Sequence, residues 1–326
     1  MNFTSVHASS RMFSSQGKIK FFDPHFHLVD WENEKGPHKE NTELWKTLYP
    51  EKPIFVIKDY EALILGEDDP VELIGGVFVE ANATPERRLD EAKWVDKELD
   101  KSSLPYGLVA GIDLQQDIHE VIAFNKTQKR WRGYRNILNY DEGAEVNMDP
   151  AVTSNRFLEQ KVKDNFKVME DAGASFEFML NPHQYQAAAD VLDTVPNLRV
   201  IINHRGFPKE VEQIQSQEYW DGMKRFAAMP NVYMKISFFA RTDAEWKQGD
   251  IVIEKSIELI KLFGPERCMF ATNFPVDNAA IFGKWTMKDM LKTFHTIAKD
   301  FTPAEQARLW RETAIEAYRM QDEVKL

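Results

Sequence analysis

The chain has 326 residues, 43% of them hydrophobic and 29% charged, which suits a soluble globular protein with a sizeable core and excludes disordered and fibrous classes. A formal net charge of −11 opposes binding to a polyanion, so no nucleic-acid partner is expected. Cys268 is the only cysteine, which excludes an intrachain disulfide and a thiolate zinc cluster, and no apolar run reaches the roughly 20 residues needed to span a bilayer.

Residues 1–18 form a leader that carries Arg11, Lys18 and several serines but no acid. It reads either as a flexible segment of a cytoplasmic protein or as a transit peptide with a mitochondrial destination. From residue 19 onward one unit repeats: a short β-branched or aromatic run, a polar residue or two, then a helix-like stretch. The runs are 19–23, 73–81, 106–113, 131–138, 175–180, 198–203, 232–237 and 268–273. Helices are expected over 85–99, 118–124, 156–172, 181–191, 209–228, 251–263, 287–298 and 303–318. Eight strands alternating with helices and no compositional break predict a single α/β domain over 19–326, a closed (β/α)8 TIM barrel. Residues 29–72 have no clear period and read as an insertion after strand one. With Trp31, Trp45 and Tyr49, it is placed to cover a pocket or to meet a second copy in a homo-oligomer.

Chemistry in such barrels gathers at the carboxyl ends of the strands. The side chains there are His25 and His27, Glu80, Asp113, Arg135, His183, His204 and Arg205, Lys235, and Asn273 with Asp277. His25 and His27 stand at i and i+2 of an extended run, so both point to one side and could share an ion or a carbonyl oxygen. Alone, such a pair is as readily structural. His204 ends the apolar run 200–203 before a Gly-Pro turn, where the alternative is a buried, hydrogen-bonded histidine. Arg135 could hold a carboxylate through two parallel hydrogen bonds, or pair across the barrel top. Glu80 is a mouth carboxylate or a salt-bridged scaffold residue. Cys268, within an apolar run, is expected to be a buried hydrophobe. His7, His38, His119 and His295 are given no catalytic role.

Asp23-Pro24-His25-Phe26-His27, Asn203-His204-Arg205-Gly206-Phe207-Pro208 and Asn273-Phe274-Pro275-Val276-Asp277 together resemble the amidohydrolase 2 family. Gly76 to Ala81 and Gly133-Tyr134-Arg135 fit the same order. The likeness is to the lactonase branch, which includes 2-pyrone-4,6-dicarboxylate lactonase and sugar-lactone hydrolases; decarboxylases are more distant. The resemblance implies that His25, His27 and His183 could hold one divalent ion such as zinc, or that the site works without metal. It makes His25, His27 and His204 catalytic, and Arg135, His183, Asn273 and Arg205 contacts to a small anionic metabolite. The departure is Asn273, where many members carry a catalytic aspartate, because an amide cannot accept a proton near neutral pH. Asp277 is nominated as the base, with Glu80 in reserve. The expected reaction is hydrolysis of a lactone or cyclic ester. The alternatives are a metal-dependent decarboxylase and a catalytically silent metabolite-binding barrel.

Overall fold

In the computed structural model the eight apolar runs pair side by side, in chain order, as one parallel sheet. They are β1 (Ile19–Phe26), β2 (Val71–Val79), β3 (Tyr106–Gly111), β4 (Trp131–Arg135), β5 (Ser175–Phe178), β6 (Arg199–Ile202), β7 (Val232–Ile236) and β8 (Cys268–Phe270). The structure describes residues 17–49, 52–64, 70–143, 149, 152–246 and 250–326. Most of the expected leader, including His7, and residues 50–51 and 65–69 of the insertion lie outside the described residues. The sheet closes where β1 meets the end of β8: the His27 N–H donates to the Phe274 carbonyl and the Asn273 N–H to the His25 carbonyl, both at 2.8 Å.

Strand side chains alternate, so a closed sheet sorts them into two cores. Phe22, Val77, Val79, Val109, Ile201, Tyr233 and Met269 cluster together, with Tyr318 and Met320 of the C-terminal segment packed among them. Their strand neighbours Phe21, Phe78, Leu108, Phe176, Val200, Met234 and Phe270 join the larger cluster formed with the surrounding helices. Cys268 is fully buried in that larger cluster, and burial pushes its thiol up, away from the reactive thiolate. At Gly133 a Cβ would stand 2.2 Å from Ser175 Oγ and 2.4 Å from its carbonyl oxygen, so only glycine lets β4 and β5 approach there.

Three of the expected helices are broken. The 156–172 segment divides at the extended Glu159 into a 3-10 turn, Arg156–Leu158, and helix Gln160–Asp171. The 209–228 segment divides into Val211–Gln215 and Gln217–Ala227, because Ser216 is extended and its hydroxyl caps the second helix through the Tyr219 N–H. The 303–318 segment contains a five-residue π turn, Arg308–Glu312, between Pro303–Ala307 and Thr313–Ala317. Among the described residues no helix is long and apolar enough to cross a membrane.

The insertion has structure that its composition hid. It contains helices Thr42–Leu48 and Ile57–Ile64 and a short antiparallel pair, Val29–Asp30 with Ile54–Phe55. His38 fastens it to the barrel: its Nδ1 accepts from the Asp30 N–H at 3.1 Å and its Nε2 lies 2.8 Å from Glu91 of helix Arg88–Leu99. The Trp45 ring packs against His38 at 5.8 Å. Leu44, Trp45 and Leu48 are thereby held over the open end of the barrel, where they line its cavity.

Candidate active site

The carboxyl ends of the strands surround a cavity of about 410 Å³, lined in its polar part by His27, Asn82, Arg135, His204, Arg241 and Asn273. Its floor is a chain of hydrogen bonds. The His27 Nδ1 lies 2.9 Å from the Val79 carbonyl, which only accepts, so Nδ1 carries the hydrogen and Nε2 is the acceptor. His25 Nε2 lies 3.2 Å from it and 3.4 Å from Arg135 Nη1. His25 Nδ1 lies 3.2 Å from Lys235 Nζ, so each of its ring nitrogens faces a cation. Lys235 is fully buried and paired at 2.5 Å with Glu177, which also accepts from Asn203 at 2.8 Å and from the Tyr318 hydroxyl. Burial lowers the Lys235 ammonium to about 8 against the pull of Glu177, so it stays charged at neutral pH.

All three histidines are neutral. Burial first, then Lys235, drives His25 well below its ordinary value; burial first, then Arg135, does the same to His204. His27 falls to about 3 through burial and Arg135. The His204 ring lies 4.6 Å from that of His25, and its Nδ1 is 2.8 Å from Ser237 Oγ.

His204 is presented by an unusual stretch of backbone. His204, Arg205, Gly206 and Phe207 all have positive φ, from 56° to 80°, and Phe238 and Asn273 at the ends of the next two strands repeat the feature. Left-handed conformations in non-glycine residues cost energy and persist only where the surroundings impose them. Here Arg205 supplies the bracing: its guanidinium donates to the carbonyls of Ser237 and Phe238 and to Thr242 Oγ1, at 3.0 to 3.2 Å. Tyr219 and Tyr185 donate to the carbonyls of Arg205 and Gly206.

The sequence-selected residues divide accordingly. His25, His27, His204, Arg135 and Asn273 come together. Glu80 is bound at 2.6 Å to Arg135 Nε and accepts the Asn82 N–H at 2.7 Å; burial would raise its carboxyl, but Arg135 and Arg88 hold it below the usual range. Glu80 is therefore a buried partner of Arg135. Asp277 is fully buried behind Asn273, whose amide donates to it at 2.7 Å and lies 3.3 Å from His27 Nε2. Burial pushes the Asp277 carboxyl well up, toward the neutral acid. Neither nominated base lines the cavity. Arg205 is internal, and His183 is exposed on a 3-10 turn, Pro182–Gln184; the structure brings neither into the cavity. Asp23 instead fastens the barrel seam, accepting from Tyr60, Thr272 and the His25 N–H, and burial pushes it up to about 6.

Three participants were not picked out as site residues from the sequence. Glu177 is a lone acid inside the apolar run Phe176-Glu177-Phe178, which was its available signal. Ser237 ends β7. Arg241 stands on the short helix Phe239–Thr242 that follows, beyond the strand end itself.

A family model described as amidohydrolase matches residues 22–320. The uncharacterized protein y4mH of Sinorhizobium fredii is 26% identical over 320 residues, covering 93% of this chain and 99% of that protein. Among solved structures, a zinc-bound amidohydrolase from Burkholderia multivorans superposes with a TM-score of 0.69 at 14% identity, covering 92% of this chain and 99% of that one. A proposed 2-pyrone-4,6-dicarboxylic acid hydrolase from Pseudomonas putida gives 0.68 at 13%, covering 92% and 98%. A manganese-bound dihydroxybenzoic acid decarboxylase from Polaromonas gives 0.60 at 13%, covering 94% and 98%. At these identities the structural likenesses show the fold.

Proposed function

The chain belongs to the amidohydrolase family, and on that premise we propose that it opens a lactone or related cyclic ester of a small carboxylate-bearing metabolite, with His204 as the base. The observation that carries this reading is a neutral imidazole on the cavity wall whose far nitrogen is held by Ser237. With Nδ1–H donated to Ser237, the Nε2 lone pair takes a proton from water as the water oxygen adds to the lactone carbonyl. Negative charge then develops on the carbonyl oxygen. Arg135 is the charged donor at the cavity wall suited to meet it, and its orientation is fixed by Glu80. Collapse of the adduct breaks the ring C–O bond, and His204 returns its proton to the leaving alkoxide.

Zinc and manganese occur in structures of similar fold, but this donor set does not fit a divalent ion. The Nε2 atoms of His25 and His27 converge to 3.2 Å, but the cations Lys235 and Arg135 flank His25 and oppose a further positive charge there. Asn273 replaces a carboxylate, His183 is outside, and among the described residues no three His, Cys, Asp or Glu side chains are arranged to hold a metal. The same lack of a carboxylate donor at Asn273 counts against metal-dependent decarboxylation.

The pH profile tests the assignment. A base held below the ordinary imidazole value of about 6.5 stays unprotonated as pH falls through that value. The expected kcat/KM is therefore flat from 7.5 to 6.5, with its acid limb lower. As pH rises through about 8, Lys235 loses its proton and the charge pair with Glu177 beneath His25 is lost, so activity declines there. An acid limb centred at 6.5 or above contradicts His204 as a buried base.

A further inference from the structure

We propose that the cavity selects a flat, apolar substrate with a single carboxylate, and that Arg241 holds that carboxylate. The inference rests on reading this cavity as the active site.

Apart from the polar floor and Asn82, the wall is hydrocarbon. Trp45 reaches in from the insertion, Ile137, Met179 and Phe238 from the ends of three strands, and Phe282 from the loop after β8. Leu44 and Ile281 at the rim are 37% and 54% exposed, among the few large apolar side chains left in contact with water. A sugar lactone brings several hydroxyl groups, and each would lose its water without gaining a partner against such a wall. A planar ring loses nothing and buries apolar area.

The charge needed to hold an acid comes from Arg241. Arg135 is matched by Glu80, and Lys235 by Glu177 below the floor. Among the described residues the Arg241 guanidinium has no hydrogen bond or ion pair; it lies 5.1 Å above the Phe207 ring. The acids that influence it are Asp141, which is taken by Lys209, and Glu210. Phe207 also neighbours His204, with ring centroids 6.3 Å apart, so the base and the free cation both border one aromatic ring on the wall of the same cavity.

Calorimetric titration with 1-naphthoate, 1-naphthamide and D-gluconate tests this on the intact protein and on Arg241→Met and Arg241→Lys. Naphthoate is expected to bind at least about tenfold more tightly than either gluconate or the isosteric amide, the scale of one charge-assisted contact. Arg241→Met should reduce the acid-to-amide ratio to under about threefold with amide binding unchanged, and Arg241→Lys should retain part of it. If Arg241→Met fails to fold, Ile137→Asn, which places an amide in the wall, should weaken naphthamide binding about tenfold. Gluconate binding as tightly as naphthoate, equal weakening of acid and amide in Arg241→Met, or unaltered naphthamide binding in Ile137→Asn would overturn the proposal. The expected pattern without any lactone opened would sink the hydrolase reading alone. Hydrolysis of aldonolactones with no naphthoate binding would sink this inference alone.

Discussion

Lys235→Met is expected to destabilise the fold by about 3–5 kcal/mol and to abolish turnover, because it strands Glu177 as an uncompensated charge in the barrel floor. Both partners are fully buried, and among the described residues Glu177 would keep only Asn203 and Tyr318 as donors. The double variant Lys235→Met with Glu177→Gln should recover most of the lost stability in urea denaturation, since a neutral amide needs no counter-charge. It should recover no activity. His25 would lose the Lys235 contact at Nδ1 that orients its ring. A single variant as stable as the parent would mean that the pair does not hold the floor.

His204→Asn is expected to lower kcat by about 10²–10⁴ while KM changes less than about threefold, the range associated with loss of a general base. Asparagine is the informative replacement because it tolerates the positive φ of 56° at this position. The Arg205 bracing remains, so near-parental melting is expected. Ser237→Ala should cost about tenfold, since the imidazole stays but its tautomer is no longer set. Full turnover in His204→Asn removes this residue from the chemistry.

The barrel was legible because most strands are short, largely apolar runs that end on polar residues, the pattern of a sheet buried on both faces. Helices Ile251–Phe263 and Met287–Ala298 fall where expected. The break at Ser216 and the π turn at Arg308–Glu312 did not show, because both lie within segments whose composition suits continuous helix. In the site, the His25 and His27 pair and His204 followed from alternation and strand ends. Glu80 and Asp277 were nominated as bases because type and position show that a carboxylate is near a barrel mouth, whereas its ionic partner and burial are set by the fold. For Glu80 that partner is Arg135, 55 residues away. Arg241 escaped because its suitability for an anion depends on its having no hydrogen bond or ion pair among the described residues, which only the folded surroundings reveal.

The most direct test is mass spectrometry of the product formed from an aryl lactone carrying a carboxylate, in ¹⁸O-labelled water, with protein whose metal content has been measured. The account predicts a product heavier by one water, with a single ¹⁸O in the new carboxylate, at metal content far below one ion per chain and unaffected by chelation. A product that has lost carbon dioxide, or turnover that appears only with one divalent ion per chain, would contradict it.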